Sequence, residues 1–229
     1  MSCPFVGSTK KDRAETQGFD ENYYRTLYRA RTPDWYSWLL SEVIRFGKPG
    51  TILDLGCGLG LFVELANKWG VSAKGIDGSE PAVRLALERT PILDLQQRDL
   101  MLPLPFADKS FDNIMMHQVI PSFAPGILTD VLAECHRVLG RGGMLFIFSI
   151  AKSNRRSAAV KMDPSQHSPL HPSELRASLQ SAGFSVIREP NSARFFPRNR
   201  FLARLAAGLM CTPLRDWAAG SANAYARRI

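Results

Sequence analysis

Thr51-Ile-Leu-Asp-Leu-Gly-Cys-Gly-Leu-Gly60 decides the reading of this chain. An apolar strand runs straight into Gly56, Gly58 and Gly60, which adopt backbone angles closed to other residues and let the main chain approach a ligand closely. A helix follows, its apolar stripe formed by Leu61, Phe62, Leu65, Ala66 and Trp69 at helical spacing. The turn therefore joins the carboxyl end of a strand to the amino end of a helix, the place where open α/β sheets bind ligands. A second strand, 72–76, ends in another acid, Asp77.

The spacing G-x-G-x-G differs from the G-x-G-x-x-G fingerprint of dinucleotide sites. Asp54, two residues before Gly56, would also repel a pyrophosphate. A nucleoside-bearing ligand with a cationic portion suits the turn better.

Outward from the turn, strands and helices alternate, which predicts a mostly parallel sheet with helices on both faces. Upstream, 19–29 reads as a helix carrying Tyr23, Tyr24, Leu27 and Tyr28. A second helix starts at Pro33 and shows Trp35, Trp38, Leu39, Val43 and Ile44 on its apolar face. Downstream, Ser79 reads as the N-cap of a helix running to Arg89, with Pro81 just inside it. The third strand is expected over 92–98, ending at Asp99, and the fourth over 111–117, ending at His117. A helix over 126–139 carries Leu128, Val131, Leu132, Cys135 and Leu139 on one face, with His136 among polar neighbours on the surface. Arg141-Gly-Gly143 reads as a turn into a fifth strand over 144–150. A helix over 172–182 closed by Gly183, a sixth strand over 184–188 and a last strand over 222–229 complete the pattern.

Length and composition bound the rest. The 229 residues suit one domain with a sizeable core. Four scattered cysteines, with no C-x-x-C pair, suggest neither a zinc site nor a disulfide framework, and fit a reducing, cytoplasmic setting. The first eleven residues lack the apolar core of a signal peptide. The net charge of +8 is unevenly placed: residues 1–140 carry 15 Lys+Arg against 17 Asp+Glu, and residues 141–229 carry 14 against 4. A basic last third implies either an acidic partner (anionic substrate, RNA or membrane surface) or a solvated arginine-rich face. Within it, 194–210 is a basic amphipathic stretch, with Phe195, Phe196, Phe201 and Leu202 among Arg194, Arg198, Arg200 and Arg204, suited to peripheral membrane contact.

The D-x-G-x-G-x-G run, Asp77, Asp99, Phe111-Asp-Asn-Ile-Met-Met-His117, Glu134-Cys-His-Arg-Val-Leu-Gly-Arg-Gly-Gly143, His171-Pro-Ser-Glu-Leu175 and Ala182-Gly-Phe184 occur in the order and spacing of one family. Over about residues 50–189 the chain resembles the class I S-adenosylmethionine-dependent methyltransferases. Within them it is most similar to the small-molecule group typified by ubiquinone and menaquinone biosynthesis. The resemblance implies a Rossmann-like, doubly wound, seven-stranded sheet with an antiparallel last strand and extra N-terminal helices. It divides the chain into a loose tail (1–18), a helical lid (19–48), a cofactor-binding core (50–189) and a basic segment completing the sheet (190–229).

The resemblance also implies S-adenosyl-L-methionine as cofactor. Asp54, Gly56, Cys57, Gly58 and Gly60 would wrap its methionine and ribose. Asp77, with Gly78 beside it, would accept from both ribose hydroxyls, because one carboxylate can take two hydroxyl hydrogens. Asp99 would accept from the adenine amino group, with Leu100 along the ring. Tyr24 of the lid would cover the methionine end. His117 ends strand four at the methyl group, where it is both a candidate cofactor contact and the first candidate for a general base.

Departures are visible. Where relatives carry V-L-E-H after strand four, this chain has Val119-Ile-Pro-Ser122. Arg141 replaces the proline usual before the glycine pair. In place of D-P-T-H, the loop 151–171 reads Asp163-Pro-Ser-Gln-His167, so His167 is the second base candidate, with His171 close by.

The acceptor implied is a small molecule methylated at O, N or C by in-line displacement. Alternatives are an RNA or protein methyltransferase using the basic last third, and a non-catalytic relative that binds cofactor.

Overall fold

The computed structural model describes residues 20–27, 33–123, 126–150, 170–189 and 221–229. The elements are α1 (Glu21–Leu27), α2 (Pro33–Phe46), β1 (Ile52–Leu55), α3 (Leu61–Lys68), β2 (Ala73–Asp77), α4 (Glu80–Arg89), β3 (Leu95–Gln97), β4 (Phe111–His117), α5 (Ile127–Val138), β5 (Leu139–Ile150), α6 (Pro172–Ser181), β6 (Phe184–Arg188) and β7 (Ser221–Arg228). One sheet of order β3-β2-β1-β4-β5-β7-β6 holds the seven strands among the described residues. Pairings from β3 through to β5 are parallel, and β7 runs antiparallel to both β5 and β6. The expected doubly wound sheet with an antiparallel last strand is therefore present. The strand order reverses between β1 and β4, which makes their carboxyl edge the switch point where ligands bind in such sheets.

Both faces of the sheet are covered. Leu53, Leu55, Ile114, Met116, Leu145 and Ile147 point to one face and pack with Val131, Leu132, Cys135 and Val138 of α5 and Leu175 and Leu179 of α6. Ile52, Met115, Phe146, Phe148 and Tyr225 point to the other and meet α2 and α3 through Leu39, Leu40, Val43, Phe62, Val63 and Ala66. Alternation along each strand produces these two layers. Arg137 ties α5 to the loop after β3, donating to the carbonyls of Leu104 and Phe106 and to Asp108, while Glu134 accepts from Leu104 N–H. That is the structural use of the Glu134–Arg137 pair.

Two strand boundaries and the burial of one histidine differ from the sequence reading. The third strand is short, Leu95–Gln97, because Pro91 to Leu93 form a turn that leaves Ile92 90% exposed. Arg141-Gly-Gly143 is not a turn before β5. The strand begins at Leu139, paired with Phe111, and absorbs the glycines as an irregularity with Gly142 at φ 71°. His136 is not a surface residue: it is half-buried, edge-on to Phe184 at 5.4 Å, and burial and the nearby Arg228 lower its imidazole pKa. The loop candidate His171 is the N-cap of α6, in a capping box with Glu174.

Gly75 of β2 went unremarked in the sequence, yet the turn depends on it. A Cβ there would lie 2.7 Å from Leu95 Cδ2 and 2.8 Å from Cys57 Cβ and Sγ. Gly75→Ala should cost about 1–3 kcal/mol, the usual penalty for overpacking, read as a lowered urea midpoint at unchanged slope.

Candidate functional site

The carboxyl edge of β2, β1 and β4 gathers most of the residues expected in the site. Gly56, Gly58 and Gly60 all have positive φ, at 80°, 52° and 66°. At Gly56 the conformation is enforced by space as well, since a Cβ would lie 2.3 Å from Val119 Cγ2. Gly60 is the left-handed N-cap of α3.

Asp77 fastens this turn from the end of β2. Its Oδ2 accepts from Gly58 N–H at 2.7 Å and its Oδ1 from Ser79 N–H at 2.8 Å. Each oxygen retains a second lone pair. Burial raises its pKa, and the two backbone donors pull it down. Gly78 lies beside it, its carbonyl taken by Gln97 Nε2 at 3.2 Å.

Tyr24 of α1 is buried against this corner. Its phenol pKa is raised by burial and by the Asp77 charge, and its hydroxyl hydrogen-bonds Ser79. Helix α1 thus touches the corner at the end of β2. Asp99 sits two residues past β3, exposed, and Asp99 Oδ1 accepts from Met101 N–H at 2.9 Å. Leu100 is half-buried against the α5-side core.

Asp54 is 4% exposed. Burial, then the Asp77 charge, pushes its carboxyl up to about 8. Cys57 lies beside both acids, and burial followed by the two charges raises its thiol well above the ordinary range. Asp54, Gly56, Cys57, Tyr36, Leu39, Phe62, Met115 and His117 line one small cavity of about 20 Å³, room for one water.

His117 forms the far wall. Its Nε2 accepts from the Trp35 indole N–H at 3.0 Å, which fixes the neutral ring with its proton on Nδ1. Trp35 and Tyr36 of α2 lie against the ring, at 5.5 and 6.2 Å between centroids, and Trp38 meets Phe148 at 5.3 Å. This aromatic wall, absent from the sequence reading of the site, joins α2 to the ends of β4 and β5. His167 and the stretch 194–210 lie outside the described residues. No described helix is long and apolar enough to cross a membrane.

The site therefore offers a turn without side-chain bulk, one buried carboxyl, a second carboxyl with lone pairs to spare and a third in solvent. Such a donor set suits a nucleoside with ribose hydroxyls and an exocyclic amine, extended by a cationic tail. It suits a diphosphate poorly, because the Asp77 carboxylate that fastens the turn would face its charge.

Comparison with known proteins agrees. The family model described as "Methyltransferase domain" matches residues 53–147. The chain is 30% identical over 146 residues to a ubiquinone biosynthesis O-methyltransferase of Caulobacter vibrioides, covering 56% of this chain and 57% of that one. It is 27% identical over 142 residues to norajmaline N-methyltransferase of Rauvolfia serpentina, covering 56% and 48%. The chain thus spans about half the length of these relatives. Among solved structures, it shares its fold with a SAM-dependent methyltransferase from Archaeoglobus fulgidus, with a TM-score of 0.64 at 18% identity over 96% of this chain and 100% of that one.

Proposed function

We propose that this chain, whose residues 53–147 match the methyltransferase domain, is a class I S-adenosylmethionine-dependent methyltransferase that transfers a methyl group to a small-molecule acceptor. The observation that carries the reading is the Asp77 carboxylate, locked by Gly58 and Ser79 N–H and still able to accept twice. Asp77 would hold the ribose hydroxyls, Asp99 the adenine amine and Leu100 the ring. The turn from Gly56 to Gly60, with Gly78 and Tyr24, would enclose the remainder, and Asp54 would face the cationic end. The cofactor supplies an activated methyl on a positive sulfur.

The chain's own task is alignment and exclusion of water. Gly56 to Gly60 remove side-chain bulk where the donor must lie. Trp35, Tyr36, Trp38 and Phe148 form a dry wall beside it. His117 stands between the two, and a hydroxyl acceptor would lose its proton to His117 Nε2 once the Trp35 N–H moves aside. His167 is the other base candidate. Both relatives described above are named for methylating small molecules, one at O and one at N, which supports this acceptor class.

The test is radiolabelled methyl transfer from S-adenosylmethionine to phenols, catechols, amines and RNA. Transfer to at least one small-molecule class is expected. His117→Ala should lower that turnover roughly 100-fold, within the range of general-base removal, while leaving S-adenosylhomocysteine affinity within about threefold. Equal loss of both would make His117 a cofactor contact.

The basic last third supports a second reading, methylation of RNA. Transfer to RNA alone, with retention that falls steeply with salt, would favour it. Cofactor binding without transfer to any class would favour a non-catalytic relative.

A further inference from the structure

Among the described residues, two buried side-chain polar atoms have no hydrogen-bond partner: Gln118 Oε1 and Ser149 Oγ. Gln118 directly follows the end of β4, and Ser149 lies near the end of the neighbouring strand β5. His117 pairs with Phe148 as the last partners of β4 and β5, the Gln118 N–H donates to the Phe148 carbonyl at 2.7 Å, and Gln118 and Ser149 are the residues that follow that pair in each segment. Both fall at the carboxyl edge of the sheet. Ser149 is 2% exposed, and its N–H donates to Asn223 Oδ1 at 3.2 Å while its hydroxyl goes unmatched.

Gln118 carries a second cost. Its φ is 60°, in the left-handed region that a residue with a Cβ enters at a penalty. A buried polar atom without a partner costs about as much as a broken hydrogen bond. Two orphan atoms and a strained backbone thus fall at the adjacent ends of β4 and β5, beside the switch between β1 and β4. Strain and unmet polarity of this kind concentrate where a ligand completes the structure.

The sheet order says which ligand. Strands lie about 4.8 Å apart. Asp77 ends β2, the glycine turn leaves β1 and His117 ends β4. A donor with its ribose at Asp77 and its tail on the turn brings its methyl to β4. Gln118, just after β4, and Ser149 of β5 would lie on the far side of that methyl. The donor's own hydrogen-bonding groups already have Asp77, Asp99 and Asp54.

We propose that Gln118 and Ser149 form the polar recognition pair for the methyl acceptor, reading a neutral hydroxyl or amino group next to the atom that is methylated. The inference rests on the methyltransferase reading above. The Gln118 carbonyl accepts and cannot satisfy a carboxylate. The Ser149 hydroxyl gives to or takes from the same group. Gln118 is only half-buried as a residue, so a turn about its terminal bonds brings the amide to a ligand in the cleft.

The test uses the full chain, with Gln118→Leu and Ser149→Ala. The probes are catechol and 2-aminophenol, each against its analogue with the second donor capped by methyl groups, guaiacol and 2-(dimethylamino)phenol. With wild type, methyl transfer is expected to favour the donor-bearing probes at least tenfold, because a site built to hydrogen-bond a donor discriminates against its absence. Gln118→Leu should erase that preference and Ser149→Ala reduce it. Both variants should keep S-adenosylhomocysteine affinity within twofold and melt at or above the wild-type temperature, since an orphan polar atom has been removed.

A preference that survives in Gln118→Leu, or no preference in wild type, would overturn the proposal. So would a tenfold loss of S-adenosylhomocysteine affinity in Gln118→Leu, which would give the pair to the cofactor, or a clear fall in melting temperature in both variants. Failure of wild type to bind S-adenosylhomocysteine at all would instead remove the methyltransferase reading.

Discussion

Asp77→Ala is expected to weaken binding of S-adenosylhomocysteine at least about 100-fold, measured by titration calorimetry. Two effects add. A hydrogen bond to a charged acceptor is worth about 1.5–3 kcal/mol, so losing two ribose contacts alone reaches this range. The substitution also frees the N–H groups of Gly58 and Ser79, which Asp77 holds at 2.7 and 2.8 Å. The glycine turn then loses its fastening to β2. Asp77→Asn separates the two effects: it keeps one acceptor oxygen and should fall between wild type and Ala. Wild-type affinity in Asp77→Ala would place the nucleoside elsewhere and remove the basis of the proposed function.

Asp54 should make both stability and cofactor affinity depend on pH, in opposite senses. Its carboxyl is raised from an ordinary value of 3.8 to about 8, by burial first and by the Asp77 charge second. Between those two values the folded chain holds a proton that the unfolded chain has released. The associated stability is fully present below about pH 4 and is lost as pH rises through 8, by roughly 5 kcal/mol over the whole interval. Binding a cation nearby favours the ionised carboxylate, so cofactor binding should release close to one proton at pH 7, and affinity should rise towards pH 8.

Urea midpoints from pH 5 to 8 test the first part. Calorimetry in buffers of different ionisation enthalpy tests the second. Asp54→Asn should flatten both profiles and gain relative stability at pH 8. Because Asp77, Cys57 and His136 stay in place, the difference between wild type and variant isolates Asp54. Identical profiles would show that Asp54 does not titrate in this range.

What could be read from the sequence was local. The glycine turn, the acids that end β2 and follow β3, and the N-cap at Ser79 each depend on residues a few positions apart, and the structure puts them at one sheet edge. Failures came where distant segments decide. Ile92 and Leu93 have strand-forming side chains, but Pro91 and the pairing of β3 with β2 begin the strand at Leu95. Gly75 has no turn to announce it, since the need for it comes from Cys57 across the strands. Trp35 and His117 are 82 residues apart, and only packing of α2 on β4 joins indole to imidazole. Glutamine is no marker of left-handed backbone, so Gln118 passed without notice.

One feature of the sheet bears on how the chain reaches its native state. β7 is an interior strand: it lies between β5 and β6, and Leu145 pairs with Ala226, 81 positions further along the chain. Until residues 221–228 arrive, β5 and β6 both present open edges, and the layer that Tyr225 fills stays incomplete. Closure over so long a loop is slow. Unpaired edges invite association with other chains in the interval. Refolding should therefore show a late, concentration-sensitive phase reported by Tyr225, and yield should fall as chain concentration rises.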